Sequence, residues 1–257
     1  MATEQVCIVT GGGAGIGKAC AIRFSREGKR VLIGDMARLD GRQVCDTITE
    51  EGGEARFYEG DVSDPAASQA WAQEALGRWG RIDVLVANAG ARVYGSILDA
   101  PEADWEKIIA VNLKGVAYSC KAVLPSMMAQ GSGAIVIISS ANALVGRADM
   151  PLYDATKAAV LSLVRSLAVA HGKDGIRVNA VCPGFTVTDF HERRAQTDGV
   201  SPQQLRTQSQ GYGLLGRPAE PHDIASAVHF LAGADAAMIT GQTLMVDAGF
   251  SVTAGRT

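Results

Sequence analysis

The chain predicts an α/β fold, a doubly wound parallel sheet with helices on both faces. Short apolar, β-branched runs alternate with longer stretches of helical period from the N-terminus onward. The first of these runs ends in a glycine turn that opens a helix. No proline- or serine-rich linker, low-complexity tract or charge block divides the 257 residues, a length that one α/β domain commonly fills. One domain over residues 1–257 is therefore expected.

Val6 to Thr10 is the first strand, closed by Gly11-Gly12-Gly13, and a helical pattern begins after Gly17. Gly11, Gly15 and Gly17, with Ile16 between the last two, let backbone approach a pyrophosphate, whose charge would sit on unpaired N–H groups at the helix start. Val31 to Asp35 is a second strand ending in an acid. A carboxylate there accepts hydrogen bonds from ribose hydroxyls and repels a 2′-phosphate. Met36 follows it and no Lys or Arg lies between Gly11 and Gly17, which favours NAD over NADP; Arg38 is the nearby opposing charge.

A helix from Arg38 to Glu51, a strand from Ala55 to Glu59, a turn at Gly60–Ser63, a helix from Pro65 to Trp79 and a strand from Ile82 to Ala87 continue the alternation. Asp61-Val62 closes the third strand on the cofactor side, where the carboxylate either binds an adenine amino group or serves the turn. Asn88-Ala89-Gly90 ends the fourth strand as a cofactor wall: glycine permits close approach and the asparagine can pin neighbouring strands.

Ala103 to Gln130 carries helical period with Asn112 in its middle, where a poor helix former predicts a kink or a bound water. The strand from Ala134 to Ile138 delivers Ser139 and Ser140 at its carboxyl end, where open α/β sheets place ligands. Tyr153 and Lys157, four apart at the head of a helical stretch, share a face. Bringing a phenol from pKa ~10 to about 7 takes roughly 4 kcal/mol. One ammonium supplies about 1–3 units, so a second positive charge, such as an oxidised nicotinamide, would have to help. Beyond the strand from Ile176 to Val181, Pro183 is expected to break the strand and Gly184 to support a turn.

Composition narrows the partners. With 24 Lys plus Arg against 27 Asp plus Glu, the net charge of −3 gives no bulk attraction to nucleic acid or acidic membrane. A small molecule is the expected partner. Five scattered cysteines without CxxC spacing predict reduced, buried thiols, neither disulfides nor a zinc site. His171, His222 and His229 have no ligand spacing, and no metal is expected. The N-terminus lacks a basic lead and a long apolar stretch, so a cytoplasmic location without a membrane span is expected.

TGGGAGIG at 10–17, Asp35, NAG at 88–90, Asn112, ISS at 138–140, YDATK at 153–157 and PGFTVT at 183–188 stand in one order, in which the chain resembles the short-chain dehydrogenases/reductases. IRVNAVCPG, GRPAEPHDIA and ITGQTLMVDAG extend the likeness over nearly the whole chain. The resemblance implies a Rossmann-type fold, a nicotinamide cofactor and a catalytic set of Asn112, Ser140, Tyr153 and Lys157. Ser140 is chosen over Ser139 because it stands 13 residues before Tyr153.

In the implied roles, Tyr153 is the general acid/base between a secondary alcohol and a ketone. Ser140 holds the substrate oxygen, Lys157 also binds the nicotinamide ribose, and Asn112 holds a water. Thr188 implies a cofactor contact, and the stretch 186–213 implies a mobile substrate lid. Arg92, Asn142, Arg147, Met150 and His191 fall in stretches that border the substrate in such folds. Arginines there point to a polar substrate: a sugar, polyol or anion-bearing alcohol. Two departures, Ala248 within VDAG and Ala87 within ANAG, touch local geometry only. The resemblance also implies a homotetramer with Ser251 to Thr257 at subunit contacts. Two other functions remain open: an NADPH-dependent 3-oxoacyl-carrier-protein reductase, and a nucleotide-sensing module without turnover.

Overall fold

The computed structural model describes residues 4–253. Its strands are β1 (Val6–Thr10), β2 (Arg30–Asp35), β3 (Ala55–Glu59), β4 (Val84–Ala87), β5 (Gly133–Ile138), β6 (Ile176–Pro183) and β7 (Thr243–Val246). They form one sheet in the order β3-β2-β1-β4-β5-β6-β7, every neighbouring pair parallel. The helices are α1 (Gly15–Arg26), α2 (Arg38–Glu50), α3 (Pro65–Trp79), α4 (Glu102–Ile109), α5 (Gly115–Gln130), α6 (Pro151–His171), α7 (Asp189–Thr197), α8 (Pro202–Gln208) and α9 (Pro221–Ala232).

Period two along β1 explains why the strand is apolar throughout. Val6 and Ile8 enter one core cluster with Trp71 of α3, Val123 of α5 and Val160 of α6. Cys7 and Val9 enter the other, with Phe24 of α1, Ile48 of α2 and Val228 of α9. Both faces are covered, so neither can be polar.

Three boundaries depart by two or more residues from the sequence expectation. Helix α1 starts at Gly15, not after Gly17, and so takes two of the turn glycines into its first turn. Strand β4 starts at Val84: Ile82 donates its N–H to the Gln130 side chain at 3.0 Å, outside the ladder, whereas Asp83 already bonds the Val6 and Ala134 main chains, both at 2.9 Å. Pro183 ends β6 instead of breaking it. Pairing with β5 stops at Val181, and only β7 accompanies the strand to Pro183, so the absent N–H disrupts no ladder on the β5 side.

The long helical stretch is divided by a π segment, Ala110–Lys114, centred on the fully buried Asn112. Its amide accepts the Ala91 N–H at 2.7 Å and donates to the Ala91 carbonyl at 3.1 Å and to Thr156 Oγ1 at 3.2 Å. The run Glu102–Gln130 has the length and hydropathy of a membrane span. It nonetheless packs on β4, β5, α3 and α6, as a core helix does. Asn112→Ala should cost about 2–3 kcal/mol, since it orphans partners that folding has taken from water. Chemical denaturation with an unchanged m-value is the check.

Residues 186–213, expected from the resemblance to form a lid, hold α7 and α8. Ser201 and Gln204 form a reciprocal capping box at the start of α8, with Pro202 as its first helical residue. Ala248 sits at φ +53°, a conformation that suits glycine, so the alanine in VDAG strains its turn. Part of the C-terminal stretch expected at subunit contacts, 254–257, lies outside the described residues.

Candidate active site

The sheet changes its direction of winding between β1 and β4, and a crevice opens at their carboxyl ends. It is a cleft of about 1280 Å³ that runs from Asp35 and Asp61, past Asn88–Gly90, to Ser140, Tyr153, Lys157 and Thr188. Pockets for single small ligands are about 300–1,000 Å³, so this one has room for a dinucleotide together with a substrate.

The glycine turn is built for close approach. Gly11 has φ +64°, and a Cβ there would meet Ala89 Cα at 2.8 Å; a Cβ on Gly17 would lie 2.0 Å from the Gly11 carbonyl oxygen. Asn88 Nδ2 donates to the carbonyls of Thr10 (3.1 Å) and Gly11 (3.0 Å), while Thr10 Oγ1 accepts the N–H groups of Asn88 (3.0 Å) and Ala89 (3.1 Å). The ends of β1 and β4 are thereby pinned together beside Gly15, Ile16 and Gly90, all on the cleft wall. Gly15 does not present its N–H to an open site: it donates to Asp189 Oδ2 at 2.6 Å, a residue the sequence reading passed over.

Asp35 is aimed by backbone. Its carboxylate accepts the N–H groups of Gly13 and Ala37, both at 2.9 Å, and lines the cleft. Arg38 instead faces Glu59 at 3.8 Å. Asp61 accepts the Ser63 N–H at 2.8 Å, the turn role left open above, and with Val62 also lines the cleft. Gly184 closes on the far side, where its N–H donates to the Val246 carbonyl at 3.0 Å next to Pro183.

Strand β5 fixes the head of α6. Ser139 Oγ donates to the Lys157 carbonyl at 2.7 Å, and Lys157 Nζ donates to the Ile138 carbonyl at 2.8 Å. The ammonium lies 5.6 Å from the centre of the Tyr153 ring. Burial pulls the basicity of Lys157 down to about 8; Cys182 opposes this and Arg92 adds to it. Burial also pushes the Tyr153 phenol up, against the charges of Arg92 and Arg147 and a hydrogen bond with Ser140, and with Asp154 assisting. The expected depression of this phenol by Lys157 is therefore not met in the protein alone. Desolvation dominates, and the nearby guanidinium groups offset only part of it.

Arg92, Asn142, Arg147, Met150 and His191 all line the cleft. Arg147 has its counter-charge already, with Nη2 at 2.7 Å from Asp154 Oδ1 and its backbone N–H at 3.2 Å from Oδ2. It is not the open anion receptor that the sequence offered. Met150 is buried immediately before α6. His191 bridges Arg92 Nη1 (3.0 Å, at Nε2) and Thr188 Oγ1 (2.9 Å, at Nδ1). Burial, Arg92 and Arg194 pull its pKa down to about 4, so the ring is neutral at physiological pH. Nδ1 also accepts the Thr188 backbone N–H at 3.3 Å, which makes His191 part of the cap that starts α7 and ties Arg92 to it.

Arg194, in the stretch expected to border the substrate, lines the rim together with Phe190, Tyr94, Phe185 and Tyr212, which were not chosen from the sequence as site residues. All five cysteines are free, with Cys45 only half-buried; burial pushes the Cys20 and Cys120 thiols up to about 12, which leaves them inert. Among the described residues no group of three or more His, Cys, Asp or Glu converges as a metal site.

A family profile described as "Enoyl-(Acyl carrier protein) reductase" matches residues 11–251. A meso-2,3-butanediol dehydrogenase of Serratia marcescens is 37% identical over 98% of this chain and 97% of its own. An L-rhamnose 1-dehydrogenase (NAD(P)(+)) of Azotobacter vinelandii is 38% identical, over 97% of each. The crystal structure of levodione reductase superposes with a TM-score of 0.91 at 31% identity, over 98% of this chain and 99% of that one. With the match spanning the glycine turn, the β5 serines and the Tyr153–Lys157 helix alike, the chain belongs to the short-chain dehydrogenase/reductase family of oxidoreductases.

Proposed function

We propose that this protein is an NAD-dependent dehydrogenase that interconverts a polar secondary alcohol and its ketone. The observation that carries the reading is a single cleft with Asp35 and the glycine turn at one end and Ser140, Tyr153 and Lys157 at the other. The residues fit a dinucleotide: Gly11, Gly15 and Ile16 put backbone on the cleft wall, at Gly11 in a packing that admits no side chain, and Asp35 presents a backbone-oriented carboxylate.

In this reading Asp35 holds the adenosine ribose, Asp61 and Val62 border the adenine, and Gly11, Gly15 and Ile16 face the pyrophosphate, with Gly17 buried behind them against the Gly11 carbonyl. Asn88, Ala89 and Gly90 form the wall, and Pro183, Gly184 and Thr188 close the nicotinamide end. The oxidised nicotinamide, when bound, accepts a hydride and brings a positive charge. Tyr153 as phenolate takes the hydroxyl proton, and Ser140 holds the oxygen. Lys157 supports the phenolate and the ribose. Asn112 has spent its side chain on Ala91 and Thr156, so a water held there would sit on its backbone carbonyl and pass the proton outward. Helices α7 and α8 act as a lid, joined by Arg206, which meets Glu192 at 2.8 Å and Glu220 at 2.7 Å.

The test is reduction of NAD and of NADP, followed at 340 nm, over secondary alcohols, sugars, polyols and hydroxy acids. Turnover with NAD is the expected result. Selective NADPH-driven reduction of 3-oxoacyl thioesters would replace this reading with the carrier-protein reductase, and NAD binding without turnover on any of them would favour the sensing module.

A further inference from the structure

Most arginines of this chain face a carboxylate: Arg26 meets Glu51, Arg81 meets Asp83, Arg147 meets Asp154, Arg206 meets Glu192 and Glu220, and Arg217 meets Asp223. Two cleft-lining arginines do not. Arg92 lies over the Phe190 ring at 4.8 Å, and Arg194 lies over the Tyr94 ring at 5.4 Å. The pairs are reciprocal. Arg92 and Tyr94 follow the Asn88–Gly90 wall, whereas Phe190 and Arg194 stand one turn apart on α7, so each segment lends one cation and one ring to the other.

An aromatic face holds a guanidinium flat without neutralising it. Phe190 and Tyr94 are themselves exposed rings, retained at the mouth of the cleft. Arg92 is further braced by its single bond to His191, which leaves the other N–H groups of its fork unspent. Asp149 and Asp198 also line the cleft, yet neither forms an ion pair with Arg92 or Arg194 among the described residues. Two oriented positive charges thus flank the opening above Tyr153 with no counter-charge of their own.

We propose that Arg92 and Arg194 form a two-arginine clasp for the carboxylate of a small hydroxy-acid substrate, gripping it between α7 and the segment that follows Asn88–Gly90. A carboxylate matches the planar fork of a guanidinium with paired charge-assisted bonds, which a neutral polyol cannot do. The clasp also gives α7 a reason to close, since the bound anion adds a bridge between the two segments. This assignment rests on the dehydrogenase reading and names its substrate class.

The experiment compares secondary hydroxy acids with their primary amides, 3-hydroxybutanoate with 3-hydroxybutanamide and 4-hydroxycyclohexanecarboxylate with its amide, as substrates of the NAD-loaded enzyme. In parallel, the corresponding keto acids and keto amides are titrated into the NADH-loaded protein by nicotinamide fluorescence. The acid should exceed its amide by about tenfold or more in kcat/KM, the scale of one charge-assisted bond. Arg92→Gln and Arg194→Gln should each bring that ratio toward one, chiefly through KM, and Arg92→Lys should restore part of it. Circular dichroism on each variant excludes misfolding. Amides that match or exceed their acids, or a ratio indifferent to both substitutions, would overturn the clasp while leaving the dehydrogenase intact. If neither alcohol is oxidised, the titrations alone decide the clasp: acid-selective binding lost in Arg92→Gln upholds it, and absent or unselective binding removes it, while the dehydrogenase reading falls only if no alcohol, sugar, polyol or hydroxy acid of the wider panel is oxidised.

Discussion

Tyr153→Phe is expected to lower kcat for alcohol oxidation by about 10³-fold, within the range general acid–base groups contribute, with NADH affinity nearly unchanged. The substitution removes the hydroxyl and keeps the ring, so the packing of Lys157 at 5.6 Å and Arg147 at 5.5 Å from the ring centre survives. A loss in kcat therefore reports proton transfer and not collapse of the site. The pH profile adds a second check. Burial raises the phenol and brings Lys157 down to about 8, each shifted mainly by its own desolvation. Oxidation needs the phenolate and should rise with pH; ketone reduction needs the phenol and should fall as pH rises. That tyrosine-dependent limb should vanish from the residual activity of Tyr153→Phe. Near-normal turnover in the variant would assign the proton transfer to another group.

The parts of this site that a sequence shows are those fixed by short-range spacing. Tyr153 and Lys157 share a helix face because they are four apart, and Asp35 ends its strand because the apolar run before it ends there. Asn112 announced an irregular helix because its amide disfavours one, although only the fold shows that the irregularity is a π segment tied to Ala91 and Thr156. The caps of α8 were also legible in Ser201, Pro202 and Gln204, but the polar composition around them masked the signal. What stayed hidden depends on chain segments meeting in space. Gly15 and Asp189 are 174 positions apart, Arg92 and His191 are 99 apart, and no periodicity relates them. The direction of the Tyr153 shift was missed for the same reason. Its sign is set by how deeply the phenol is buried, a property of the packed cleft that the spacing to Lys157 does not contain.

On the proposed NAD-dependent reading, Asp35→Ser is expected to lower the NAD-to-NADP ratio of kcat/KM by about 100-fold, with the larger part from improved use of NADP. A site built to hydrogen-bond a substrate group discriminates by 10⁴ or more at the extreme, because the wrong ligand leaves buried polar groups unpaired. Here the site is half-exposed, so solvent tempers the effect. The carboxylate is held by two backbone N–H groups and cannot swing away from a 2′-phosphate without leaving Gly13 and Ala37 unpaired. Repulsion is therefore built into the turn. Removing the charge ends it, but supplies no attraction, since Arg38 is directed to Glu59. Met36→Arg added to Asp35→Ser should then invert the preference, as the exposed Met36 lies at the same cleft edge and a guanidinium there can take the phosphate. An unchanged ratio in the single variant would place the discrimination on the other side of the cleft. A changed ratio without inversion in the double variant would show that position 36 does not reach the phosphate.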